Sequence, residues 1–215
     1  GNTLNVTNTI EILAGTFATS NNLTFVSNAS GTARLAELVS GADITGNVTM
    51  QRYIPAGTDG WIFLCAPMSS VTLQQWDDDF ITGGFPGSQY PPPTVTNASI
   101  VTYDETLPGI YDDGFVEPTN ITNPLVAKKG YWAYIMNTPL TIDVTGPLLK
   151  NAQSFAVTYT DDVSQPASED GWNLVANPYP STIDWDGPGW TKTNVADAVY
   201  MYDPTMDQYT SYIAG

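Results

Sequence analysis

The chain contains no histidine. That removes the commonest general base, and with it Ser-His and Cys-His nucleophile pairs and imidazole-bound metals. One cysteine, Cys65, leaves no partner for an intrachain disulfide, and its place in the apolar run Trp61–Ala66 suits a small buried hydrophobe. Only 6 lysines and arginines stand against 22 aspartates and glutamates, for a net charge of −16. So few cations cannot neutralise a nucleic-acid backbone or hold an anionic lipid surface, so neither is a partner. No apolar run approaches the roughly 18 residues of a membrane-spanning helix, and no membrane insertion is expected. A signal peptide is also missing, and Gly1 reads as a mature or excised start.

What the chain does have is aromatic and β-forming residues. Six Trp and twelve Tyr argue against disorder. A compact fold of this mass would expose about 9,700 Å² and bury roughly 70% of the extended chain's surface, enough for a core without disulfides.

The strongest signal is an internal repeat. Gly60-Trp61-Ile62-Phe63-Leu64-Cys65-Ala66-Pro67 returns as Gly171-Trp172-Asn173-Leu174-Val175-Ala176-Asn177-Pro178, 111 residues later. Trp76 and Trp185 follow the two copies. A second echo sets Ile100-Val101-Thr102-Tyr103-Asp104-Glu105-Thr106 against Val199-Tyr200-Met201-Tyr202-Asp203-Pro204-Thr205. Because Trp61, Trp172, Trp76 and Trp185 recur, core packing is their expected role.

Residues 1–50 have a different texture, with no Trp, Tyr or Pro. Short alternating pairs such as Leu4-x-Val6 and Leu23-x-Phe25 place two apolar side chains on one strand face. These two segments align at an offset of 19, and a third start is expected near Ala42-Asp43-Ile44. Recurrence near that interval suggests β-solenoid rungs. From Gln51 the pattern turns to apolar strands bounded by Gly and Pro: Trp61–Ala66 (buried on both faces), Ala98–Tyr103, Gly109–Tyr111, Gly130–Ile135, Leu140–Val144 and Gln153–Tyr159. Trp172–Ala176, Ala198–Tyr202 and Gln208–Ile213 complete the set, with one helical turn expected at Leu73, Trp76 and Phe80. The expected fold is all-β. A short β-solenoid-like N-terminal segment (1–50) is followed by an internally duplicated antiparallel β-sandwich (51–215), with its first copy at about 51–150 and its second at about 151–215. The first copy continues to Gly130-Tyr131-Trp132-Ala133-Tyr134, while the second has no such strand before Gly215. Truncation of the second copy is therefore expected, as is strand pairing with a further segment or a neighbouring subunit.

Taken together, Arg52-Tyr53-Ile54, Gly60–Leu64, Trp76-Asp77-Asp78-Asp79-Phe80 with Gly84-Phe85-Pro86-Gly87, and Gly171–Tyr179 resemble the type IX-secreted, adhesin-like cell-surface proteins of Bacteroidota. The resemblance implies an extracellular or outer-membrane address and a role in adhesion or structure rather than a reaction. The alternative is a carbohydrate-binding module of a secreted polysaccharide-degrading protein.

Candidate sites are few. Asp184-x-Asp186, if a strand, would put two carboxylates on one face about 7 Å apart, a glycosidase-like spacing that any Asp-x-Asp strand reproduces. No enzyme is expected. No cofactor is required. Ca²⁺ is the ion that the Asp-rich turns would suit, through Asp77, Asp79, Asp184 and Asp186, although none matches the twelve-residue calcium loop. For ligands, Trp190 and Tyr90 are aromatic residues in loops without a counterpart in the other copy, suited to stacking on a surface glycan. A surface glycan or a neighbouring protein chain is the expected partner.

Overall fold

The computed structural model describes residues 2–213. The chain opens with short strands: β1 (Leu4–Val6), β2 (Thr9–Ile10), β3 (Gly15–Ala18), β4 (Leu23–Phe25), β5 (Ser27–Asn28), β6 (Gly31–Thr32), β7 (Arg34–Leu35) and β8 (Ala42–Thr45). β9 (Asn47–Ile54) is longer. Four parallel pairings organise them. β1 lies on β4 with Leu4 opposite Leu23, and β4 lies on β9 with Leu23 opposite Val48. β2 pairs with β7, and β3 with β8. Like residues stack in register, so Leu23, Phe25 and Val48 are buried on one face. The offset of 19 is thus the register of β1 on β4. The third start is not at Ala42: β8 pairs with β3, and the next strand on β4 begins 25 residues after it, at Val48. The extra residues form the small β5–β6 hairpin.

β9 changes the character of the sheet. Along its length it also takes an antiparallel neighbour, β14 (Leu140–Pro147), giving the order β1-β4-β9-β14. The change of texture at residue 50 therefore falls inside one strand. Between them come β10 (Gly60–Leu64), the single helical turn α1 (Gln74–Asp77), β11 (Ile100–Tyr103), β12 (Phe115–Val116) and β13 (Tyr131–Ile135). Four of these form an antiparallel sheet in the order β10-β13-β11-β12. Strand alternation sends Ile62, Leu64, Ile100, Ala133 and Ile135 inward, where they share one core with Val48, Ile54, Ile142 and Val144 of the first sheet. Leu73, Trp76 and Phe80 around α1 close that core. The result is predominantly β, with two sheets packed in a sandwich-like manner.

The same alternation corrects two expectations. β10 is buried on one face only, and Cys65, the next residue on the outward phase, is exposed with its Sγ 3.9 Å from the Asn177 carbonyl. Of the four recurring tryptophans only Trp76 enters the core; Trp61, Trp172 and Trp185 are half-buried. Trp61 and Phe63 lie opposite Tyr134 and Trp132 on the outer face of the antiparallel sheet.

A third layer covers that outer face. The hairpin β15 (Ala198–Asp203) and β16 (Gln208–Ile213) presents Tyr202 and Tyr209, directly opposite each other, to Phe63 and Trp132. The ring centroids lie 5.4 Å apart for Trp132 with Tyr202 and 6.2 Å apart for Phe63 with Tyr209. Mostly edge-on or tilted, such pairs each contribute about 0.5–1.5 kcal/mol beyond area burial. Tyr111 and Tyr209 hydroxyls meet at 2.9 Å. Gln153–Tyr159, Trp172–Ala176 and Gly109–Tyr111 form no ladder strands. The second makes only a bridge at Val175 to Lys129, and a 3-10 turn at Tyr111–Gly114 takes over the third. Long stretches without regular structure leave an accessible surface of 12140 Å², above the compact estimate.

Candidate functional site

The loop that carries Trp190 is a set of nested turns. Asp184 accepts the Asp186 N–H on its carboxylate at 3.1 Å, and its carbonyl accepts the Gly187 N–H at 3.2 Å. That carbonyl also accepts the Trp190 indole N–H at 2.7 Å, which fixes the ring above the turn. Asp184-x-Asp186 is therefore a turn and not a strand, so the two carboxylates do not share a strand face. Asp186 instead accepts the Tyr212 hydroxyl.

Around Trp190 the chain builds a groove of about 240 Å³, walled by Phe155, Tyr179, Ile183 and Trp190, with Gln153 and Asp184 at its edge. Phe155 comes from the segment after β14 and lies 6.4 Å from the Trp190 ring, tilted by 38°. Tyr179 comes from the second copy, where Asn177 accepts its N–H at 3.0 Å and its hydroxyl donates to the Asn151 carbonyl at 2.8 Å. Gln153 donates to the Lys150 carbonyl at 2.7 Å. The polar handles of the aromatic walls are thus tied to the backbone, leaving ring carbon to face the groove. One Asp184 oxygen carries no hydrogen bond among the described residues. Behind Trp190 stands Trp185, 5.1 Å away, with the Lys192 ammonium 4.5 Å over its ring and 3.0 Å from Asp197. That cation is held away from the groove.

Tyr90 is 46% exposed and is not part of these walls. Its backbone pairs with Thr82 and Gly84 within the Pro-rich loop. The two aromatic candidates are therefore not brought together. Phe155 and Tyr179 were missed from the sequence: the first lay in an alternating segment that resembled a strand, the second inside the repeat.

The acidic candidates are also dispersed. Asp77 accepts the Thr82 hydroxyl, and Asp79 accepts the Asp143 N–H at 2.6 Å. Burial, with smaller contributions from the Asp143 and Asp78 charges, pushes the Asp79 carboxyl up to about 6. Asp143 is raised by burial and then by Asp78. A second acidic group, Glu105, Asp162, Glu169 and Asp170, surrounds a space of about 10 Å³, room for one water. Glu105 accepts the Thr160 hydroxyl at 3.1 Å, Glu169 the Tyr111 N–H at 3.0 Å and Asp162 the Gly109 N–H at 2.9 Å. Among the described residues no three such side chains are arranged to hold a metal ion.

No family model, curated protein or solved structure matches this chain.

Proposed function

We propose that the chain is a non-catalytic extracellular module with an adhesive or structural role at a bacterial surface, and that it holds a neutral saccharide in the Trp190 groove. The observation that carries the ligand is the set of walls: Phe155, Tyr179 and Trp190 turn ring surface to a half-open groove with a carboxylate and an amide at its edge. Sugars present apolar ring faces to stack and hydroxyls to bond, and such a groove meets both. At 240 Å³ it falls below the roughly 300–1,000 Å³ of pockets for larger ligands, which suits one sugar ring or a chain end. The Asp184 carboxylate and the net charge of −16 disfavour uronic or sialic acids.

The architecture that fits this role is solenoid rungs leading into a duplicated sandwich. The parallel stacks β1-β4-β9, β2-β7 and β3-β8 support the rungs. The duplication is supported by matched detail. Tyr103 opposite Phe115 recurs as Tyr202 opposite Tyr209. The Thr106 N–H and hydroxyl bond Asp104 as the Thr205 N–H and hydroxyl bond Asp203.

A glycan array tests the ligand. Binding to neutral glycans that Trp190→Ala abolishes and Tyr90→Ala leaves intact is the expected result. No binding by the folded chain, or equal binding by Trp190→Ala, would overturn it.

A further inference from the structure

In the first copy the strand with the Tyr-Asp motif, β11, has neighbours on both edges: β12 on one and β13 on the other. Its echo β15 has only β16, the counterpart of β12. Among the described residues no strand lies where β13 would, and β13's companion on the far side is likewise reduced, since 171–175 keeps a single bridge. We infer that the edge of β15 left unpaired among the described residues is an acceptor for an extended strand of the pattern Lys-Gly followed by an aromatic-rich run, as in Lys129–Ile135.

Faces and charges both specify that occupant. The two copies pack their aromatic faces against each other, Tyr202 and Tyr209 against Phe63 and Trp132. This turns Val199 and Met201, the echoes of core-facing Ile100 and its neighbour Thr102, to the opposite face beside Tyr212, Val199 half-buried and Met201 exposed. Met201 is 54% and Tyr212 43% exposed. A strand with alternating large side chains would extend the sheet and cover part of this face. In the first copy β13 runs antiparallel to β11 with Ala133 opposite Ile100, a register that carries Lys129 towards Asp104. The Thr106 hydroxyl and N–H hold the Asp104 carboxyl below its ordinary value, with a smaller contribution from the Lys129 charge. Asp203 keeps the same turn as Asp104, and with Asp207 it makes the far end of β15 acidic, the end that the leading lysine of an antiparallel strand would reach. A half-buried six-residue strand with an edge unpaired among the described residues is a template for such addition.

The test uses the whole chain and a labelled synthetic peptide of residues 128–137. Saturable binding is expected in fluorescence anisotropy, with slowed amide exchange in 198–203 and not in 60–64. A peptide with Ala133→Pro breaks the ladder and is expected to bind at least about tenfold more weakly. Lys129→Glu in the peptide is expected to cost about threefold. The Trp190→Ala protein is expected to bind the peptide normally, which separates this result from the saccharide reading. No saturable binding, equal binding of a scrambled peptide, or binding without protection of 198–203 would each overturn the inference.

Discussion

Asp79 offers a prediction with a definite sign. Its carboxyl sits half-buried beyond the end of α1, against Asp143 of β14, and titrates near 6 instead of 3.8. Because the folded value is raised above the unfolded one, the folded chain binds the proton more tightly between them. Stability is therefore greatest below about pH 4 for this group and falls as pH rises through about 6. A shift of roughly two units corresponds to about 3 kcal/mol between the protonation states. Half-exposure lets water and salt screen much of that, and about 1 kcal/mol is the expected remainder. Asp79→Asn keeps an acceptor for the Asp143 N–H without the charge. In urea denaturation from pH 4 to 8, the variant should gain about 1 kcal/mol relative to wild type between pH 4 and 7, then hold level. General repulsion at net charge −16 is nearly common to both proteins and cancels in the difference. A flat difference would refute the reasoning. So would a variant that loses ground at high pH, which would mean that the ionised Asp79 is satisfied by something such as a bound cation.

Other outcomes follow from the same geometry. At Gly84, φ is +86° and a Cβ would lie 2.1 Å from the Asn97 carbonyl oxygen, so Gly84→Ala should cost at least about 2 kcal/mol in denaturation. Gly189→Ala, with open space around it, should cost under about 0.5 kcal/mol. Tyr209→Ala removes a ring packed 5.5 Å from Tyr202 and the hydroxyl partner of Tyr111; hydrogen exchange should show the hairpin opening more easily by about 1–2 kcal/mol. A calcium titration checks the acidic turns. With Asp77, Asp79, Asp184 and Asp186 turned to separate partners, millimolar Ca²⁺ should leave the melting temperature unchanged, and a rise that Asp77→Asn abolishes would restore a calcium role.

How much of this was legible depends on whether the signal was local. Leu4-x-Val6 and Leu23-x-Phe25 carry their register in the sequence, because identical periods stack without interruption. The next interval did not, since a hairpin at Ser27–Thr32 lengthens it and leaves no apolar mark. Strand phase placed Ile62 and Leu64 correctly, yet the recurrence of Trp61 and Trp172 suggested a core when it marks an interlayer. That role depends on the β15–β16 hairpin packing on the outer face of the antiparallel sheet, which neither segment encodes alone. At Trp172–Ala176 the apolar pattern was strand-like, but a strand needs a partner, and only Lys129 supplies one. Trp190 stood out as a loop aromatic without an echo. Its companions Phe155 and Tyr179 become visible only when segments 35 and 11 residues before it are folded onto it.

β9 also has a mechanical consequence. Its first residues lie parallel on β4, and its whole length lies antiparallel on β14, with eight registered pairs from Asn47–Pro147 to Ile54–Leu140. Tension applied along the N-terminal chain would load both ladders lengthwise, so that many hydrogen bonds must yield at once instead of peeling one by one. A tether pulled from upstream would thus be held where β9 joins the two ladders.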